Sequence, residues 1–129
     1  MAKNILSGVL DLMLDQCEDT HIYVCRGQPA SAGDLADSTG SGAGGGLTLA
    51  SGPLGGAITG GDAGAGARNN TYPATPGLNI IDTSTANHVA IGNSTRTELK
   101  FVTTCTPQAL TSGGTVDTSS FVHTLSQPT

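Results

Sequence analysis

Residues 87–125, NHVAIGNSTRTELKFVTTCTPQALTSGGTVDTSSFVHTL, decide how this chain folds. Short runs rich in Val, Thr and Phe alternate with clusters of Gly, Ser, Asn and Thr, the signature of brief strands joined by tight turns. The spacing predicts strands at Asn87–Ile91, Glu98–Cys105 and Thr115–Leu125, with turns at Gly92–Thr95 and Thr111–Gly114. Upstream, the same reading predicts strands at Asn70–Tyr72 and Leu78–Asp82, separated by the turn-like clusters Pro73–Gly77 and Thr83–Thr85. Short strands at this spacing predict a small antiparallel β-sandwich or barrel.

Further toward the N-terminus, residues 21–26 show a period of two, with Ile22 and Val24 alternating with Tyr23 and Cys25, which predicts a strand. Residues 4–17 read as an amphipathic helix. Ile5, Val9 and Leu12 form one apolar row, Leu6, Leu10 and Met13 a second, and Asp11 and Asp15 are expected on the opposite face. Asn4 is a natural N-cap, and Gly8 costs the helix about 1 kcal/mol relative to Ala, so packing must hold it. Between these parts, residues 33–66 carry GSGAGGG at 40–46 and GGDAGAG at 60–66. This stretch is expected to be an irregular, glycine-rich arm or loop region with one or two weak strands. The whole chain, 1–129, reads as a single, mainly β domain whose core is residues 67–129 together with strand 21–26.

Composition limits what such a domain does. The 129 residues include 19 Gly, no Trp, two Tyr and two Phe, and only 12% are charged, about half the usual share. Small aliphatic side chains must therefore fill much of the core. The net charge of −5, with five basic residues scattered along the chain, excludes the clustered Lys and Arg that nucleic-acid binding requires. Asp11 interrupts the apolar N-terminal run, no small-residue cleavage site follows, and no stretch reaches the roughly 18 apolar residues of a membrane span. A soluble chain made in the cytoplasm is expected, with neither a nucleic-acid nor a membrane partner.

Motifs for chemistry are weak. Gly40, Gly42 and Gly45 match a GxGxxG pattern, but no strand precedes it and no helix follows. No lysine sits where a phosphate-binding loop needs one. Cys17, His21 and Cys25 are spaced by four, yet the helix ends near Cys17, and two ligands on a strand do not make a structural zinc site. Asp62 within GGDAGAG lacks the further acids a calcium ion needs. Ser, His and acidic residues occur without any nucleophile setting such as G-x-S-x-G. Asn69-Asn70-Thr71 and Asn93-Ser94-Thr95 match the glycosylation pattern, which carries little weight without a secretion signal. No enzyme, metal or cofactor is expected. The three cysteines, Cys17, Cys25 and Cys105, cannot all pair within one chain. They are either buried free thiols or candidates for disulfides between subunits.

Three segments carry a family resemblance: Asn4–Asp15, Thr85-Ala-Asn-His-Val-Ala-Ile91, and Val102-Thr-Thr-Cys-Thr-Pro-Gln-Ala-Leu-Thr-Ser-Gly-Gly-Thr-Val116. Together they resemble small virion proteins encoded near the structural genes of tailed bacteriophages. The match covers the N-terminal helix and most of residues 75–128, in order; the glycine-rich middle departs from it in length and composition. The resemblance implies a non-enzymatic particle component, located in the virion and assembled in the host cytoplasm. Its implied partners are the major capsid protein or other virion proteins, with a homo-oligomer on the particle. The leading expectation is a capsid decoration or cement protein that bridges major capsid subunits. The alternatives are a neck, collar or tail-associated protein, or a fibre attachment domain. A carbohydrate-binding surface module ranks below these, since only Tyr23, Tyr72, Phe101 and Phe121 are available to stack on sugars.

Overall fold

The computed structural model describes residues 7–38, 46–64 and 67–125. Helix α1 (Ser7–Asp15) is followed by β1 (His21–Cys25), a 3-10 turn (Ala32–Leu35), β2 (Thr48–Pro53), β3 (Thr59–Gly64) and β4 (Ala67–Tyr72). Then come β5 (Thr75–Asn79), β6 (Ser84–Gly92), β7 (Leu99–Leu110), β8 (Thr115–Thr118) and β9 (Phe121–Leu125). The strands form antiparallel sheets ordered β2-β1-β6-β7, β3-β4-β9 and β5-β8. The Ala50–Ile80 bridge and the Ile81 N–H donated to the Leu49 carbonyl stitch β2 to the chain leaving β5. The chain is mainly β and sandwich-like, as its turn spacing predicts.

β1 lies at the centre because its alternation serves two cores at once. Ile22 and Val24 enter the main cluster with Leu49, Ala50, Leu78, Ile80, Val89 and Ile91. Tyr23 and Cys25, on the opposite face, pack with Leu35, Ala90 and the half-buried Leu47, Leu99 and Val102. A strand covered on both faces is apolar at every position, and Ile22–Cys25 are all buried. The 3-10 turn supplies the second cover. Asp34 Oδ2 accepts from the Ala30 N–H at 2.8 Å, and the Thr48 hydroxyl donates to the Leu35 carbonyl at 2.8 Å, fixing Leu35 over the sheet. Gly46 is required here, since a Cβ would lie 1.8 Å from the Ala36 carbonyl oxygen.

Few aromatics suffice because three of them gather. Tyr72 stacks on Phe121 at 4.7 Å and on Phe101 at 5.6 Å between ring centroids, joining β4, β9 and β7. The Tyr72 hydroxyl donates to the Cys17 carbonyl at 2.7 Å, and Asn70 Nδ2 donates to the Leu14 carbonyl at 3.0 Å. Together they tie the end of α1 to β4: the Leu14 carbonyl, which also accepts from the Cys17 N–H at 2.8 Å, gains a second donor, and the Cys17 carbonyl just past the helix gains one.

Several expectations need correcting. The described part of α1, Ser7–Asp15, lies within the expected 4–17 span, and Asn4, Ile5 and Leu6 are outside the described residues. Its buried stripe is Leu10 and Leu14, not the Val9–Leu12–Met13 side, which is exposed. Asp11 does not face away: Arg68 on β4 draws it in, with Arg68 Nε 2.9 Å from Asp11 Oδ1. The expected single strand Thr115–Leu125 is two, because Ser119-Ser120 lets the chain leave β5 and join β4. β5 starts inside the expected turn Pro73–Gly77. Pro76, without an N–H, and Gly77, at φ 72°, occupy an irregularity between Thr75 and Leu78 instead of ending the strand. β7 runs past Cys105 and through Pro107 to Leu110, which an edge strand tolerates. Within residues 33–66, β2 is a full member of the main sheet with Leu49 and Ala50 buried, and β3 pairs with β4. The Gly40, Gly42 and Gly45 motif lies outside the described residues.

Candidate functional site

The sandwich is open along one side. β7 pairs only with β6 and β8 only with β5 among the described residues, so each presents an unpaired backbone edge. Between them lies a groove of about 760 Å³. Its floor is apolar, made by Val24, Ile80, Ala86 and Val89, while Thr103–Thr106 of β7 and Thr115–Ser120 form its walls. β7 is 12 residues long, and from Phe101 to Ala109 it has no fully buried residue. Its pairing with β6 shifts register opposite Ala86 to His88, and Pro107 brings no N–H to the strand.

The groove lining carries Cys105, Asp117 and several Ser and Thr hydroxyls, among them Thr104, Ser119 and Ser120, and no histidine. Burial pushes the Cys105 thiol up, away from the thiolate a nucleophile needs. Asp117 is occupied structurally, accepting from the Gly77 N–H at 2.8 Å. The arrangement offers a hydrogen-bonding wall, hydroxyls and an apolar floor, the chemistry of protein–protein contact.

The three cysteines are dispersed and free of intrachain disulfides. Cys25 is sealed under Leu35 and Leu47, and burial pushes its thiol up to about 11. It is out of reach of a neighbouring chain while the protein stays folded. Cys17, just past α1, and Cys105, in the groove, are half-buried and carry what remains of the cross-linking idea. The histidines also stand apart. His21 Nδ1 lies 2.9 Å from the Thr20 hydroxyl, and His88 Nδ1 lies 2.7 Å from Asn87 Oδ1. His123 stacks on Phe101 at 4.3 Å, with a buried Nδ1 that has no hydrogen-bond partner among the described residues. Burial lowers its pKa. Among the described residues no three His, Cys, Asp or Glu side chains gather as metal ligands. Of the aromatics proposed for sugar stacking, Tyr23 and Tyr72 are buried, and Phe101 and Phe121 lie within the Tyr72 stack.

Comparison of the chain with known protein families, curated proteins and solved structures finds no match. Among the described residues no helix is long and apolar enough to cross a membrane.

Sequence reasoning misses the groove because it ends the strand at Cys105, short of Pro107, and runs a single strand through Ser119-Ser120. Pro107 was itself the available signal, since proline inside a β run marks an edge.

Proposed function

We propose that this chain is a non-enzymatic structural component of a tailed-phage particle, a decoration or cement protein that bridges and stabilises major capsid subunits. The observation that carries the assembly role is the open side of the sandwich, where the 12-residue edge of β7 and the edge of β8 flank an apolar-floored groove. A neighbour's backbone set against either edge completes hydrogen bonds that the isolated chain leaves to water. The thin core adds to this reading, because binding that favours only the folded state stabilises it by mass action. The phage context rests on the resemblance of residues 4–15, 85–91 and 102–116. Once the particle leaves the reducing cytoplasm, Cys17 and Cys105 are the thiols available for bonds between subunits.

An averaged density map of purified particles tests the reading. It predicts copies in the hundreds on the head lattice, with density from a neighbour against β7 or β8. A ring of about six to twelve copies would move the chain to the neck or tail. Particles that lack the chain would overturn the proposal.

A further inference from the structure

Among the described residues the outer face of α1 is apolar and has no partner. Val9 is 46%, Leu12 64% and Met13 47% exposed, while Leu10 and Leu14 hold the helix to the sheet. Exposed residues at i, i+3 and i+4 form the narrow seam that one helix presents to another. At the C-terminal end of this seam a cleft of about 470 Å³ opens, lined by Asp15, Glu18 and Asp19 together with Leu54 and Ile58.

The charge around the seam is one-sided. The ion pairs among the described residues engage Asp11, Asp37 and Glu98, and leave Asp15, Glu18 and Asp19 without a cation. No basic residue stands in the last turn of α1, so the negative end of the helix dipole adds to these acids. A second copy is a poor occupant. Of the five basic residues, Arg68, Arg96 and Lys100 are committed to those pairs, Arg26 donates to the Gly46 carbonyl and Lys3 lies outside the described residues, so a chain of net charge −5 has few cations to offer a copy of itself. The complement is cationic and comes from another protein.

We propose that the Val9–Leu12–Met13 face and the acidic cleft beside it form a docking surface for a cationic amphipathic helix of a partner protein. The partner's apolar stripe packs along α1, and its Lys or Arg side chains reach Asp15, Glu18 and Asp19. This surface is separate from the groove between β7 and β8, and it stands whether or not the chain belongs to a phage particle.

The probe is a synthetic helical peptide of about 14 residues, roughly 21 Å long, with a leucine stripe flanked by lysines. A second peptide carries glutamate in place of every lysine. Titration of the full chain, read by fluorescence anisotropy and by amide chemical shifts, is expected to show saturable binding of the cationic peptide only. Shift changes are expected at Val9, Leu12, Met13, Leu54 and Ile58. Leu12→Ser should weaken binding about tenfold or more, in line with one lost apolar anchor. Asp15→Asn combined with Asp19→Asn should weaken it several-fold and flatten its salt dependence. Leu12, Asp15 and Asp19 are not buried, so circular dichroism and melting of both variants should match the parent. Equal binding of the glutamate peptide, undiminished binding by Leu12→Ser, or shift changes confined to the β7–β8 groove would each overturn the proposal. So would self-association of the chain that Leu12→Ser abolishes, since the face would then join copies of the chain.

Discussion

β1 and β7 belong to the same sheet, separated only by β6, yet they live in opposite environments. Ile22–Cys25 of β1 are buried on both faces, and hydrogen bonds run to a neighbour on each side. β7 is more than twice as long, but one edge is unpaired and one flank opens on the groove. The contrast separates two tasks. The β2-β1-β6 layer holds the fold, whereas the β7–β8 side and the outer face of α1 stay exposed among the described residues and are the surfaces we propose for docking.

Substitution should break this contrast most sharply. Ile22→Ala removes a fully buried side chain from the main cluster and should cost about 2–4 kcal/mol in chemical denaturation. Thr104→Ala on the exposed stretch of β7 should change stability by no more than about 0.5 kcal/mol. Similar losses from the two would deny that stability is concentrated around β1.

Alkaline pH reaches the same centre by another route. The Cys25 thiol titrates at about 11 in the fold against 9.0 when free, so the unfolded chain loses this proton first. The resulting stability is complete below pH 9 and drains away as pH rises towards 11, a loss of roughly 2–3 kcal/mol. Tyr72, pushed up to about 12 by burial, extends the loss beyond its ordinary value of 10. Denaturation midpoints between about pH 8 and 10 should fall for the parent and less for Cys25→Ala, the remainder coming from Cys17 and Cys105, whose thiols burial also raises.

Tyr72→Phe keeps the aromatic stack but leaves the Cys17 carbonyl without its donor. A loss of about 1–2 kcal/mol is expected, with faster amide exchange in α1 than in β1. The smallest effect belongs to His123. Its pKa in the fold is lowered, so the unfolded chain takes up the proton first as pH falls through 6.5. Stability should therefore decline below that pH, and His123→Leu should remove that part of the decline.

The same contrast explains how much was legible beforehand. β1 was readable because alternation of Ile22 and Val24 with Tyr23 and Cys25 is a local signal that survives in the fold. The face of α1 was not, since Val9, Leu10, Leu12, Met13 and Leu14 wrap most of the helix. The choice of buried stripe falls to Arg68 and Asn70, more than fifty residues away, through Asp11 and the Leu14 carbonyl. β2 hid in glycine-rich text because Leu49 and Ala50 are a short apolar piece whose role depends on pairing with β1. The candidate surface escaped for a related reason. Which strands remain unpaired is a property of sheet order, and composition around Pro107 or Ser119 hints at it only indirectly. The odd cysteine count directed attention to Cys17, Cys25 and Cys105, but no local pattern distinguishes the sealed thiol from the accessible ones.

The most direct test is amide hydrogen exchange, measured strand by strand on the isolated chain and on the chain in its assembled particle. We predict slow exchange in β1 and β6 in both states, with β7 and β8 exchanging fast alone and becoming protected on assembly. Protection of β7 and β8 that is already complete in the isolated chain, or unchanged by assembly, would contradict the account.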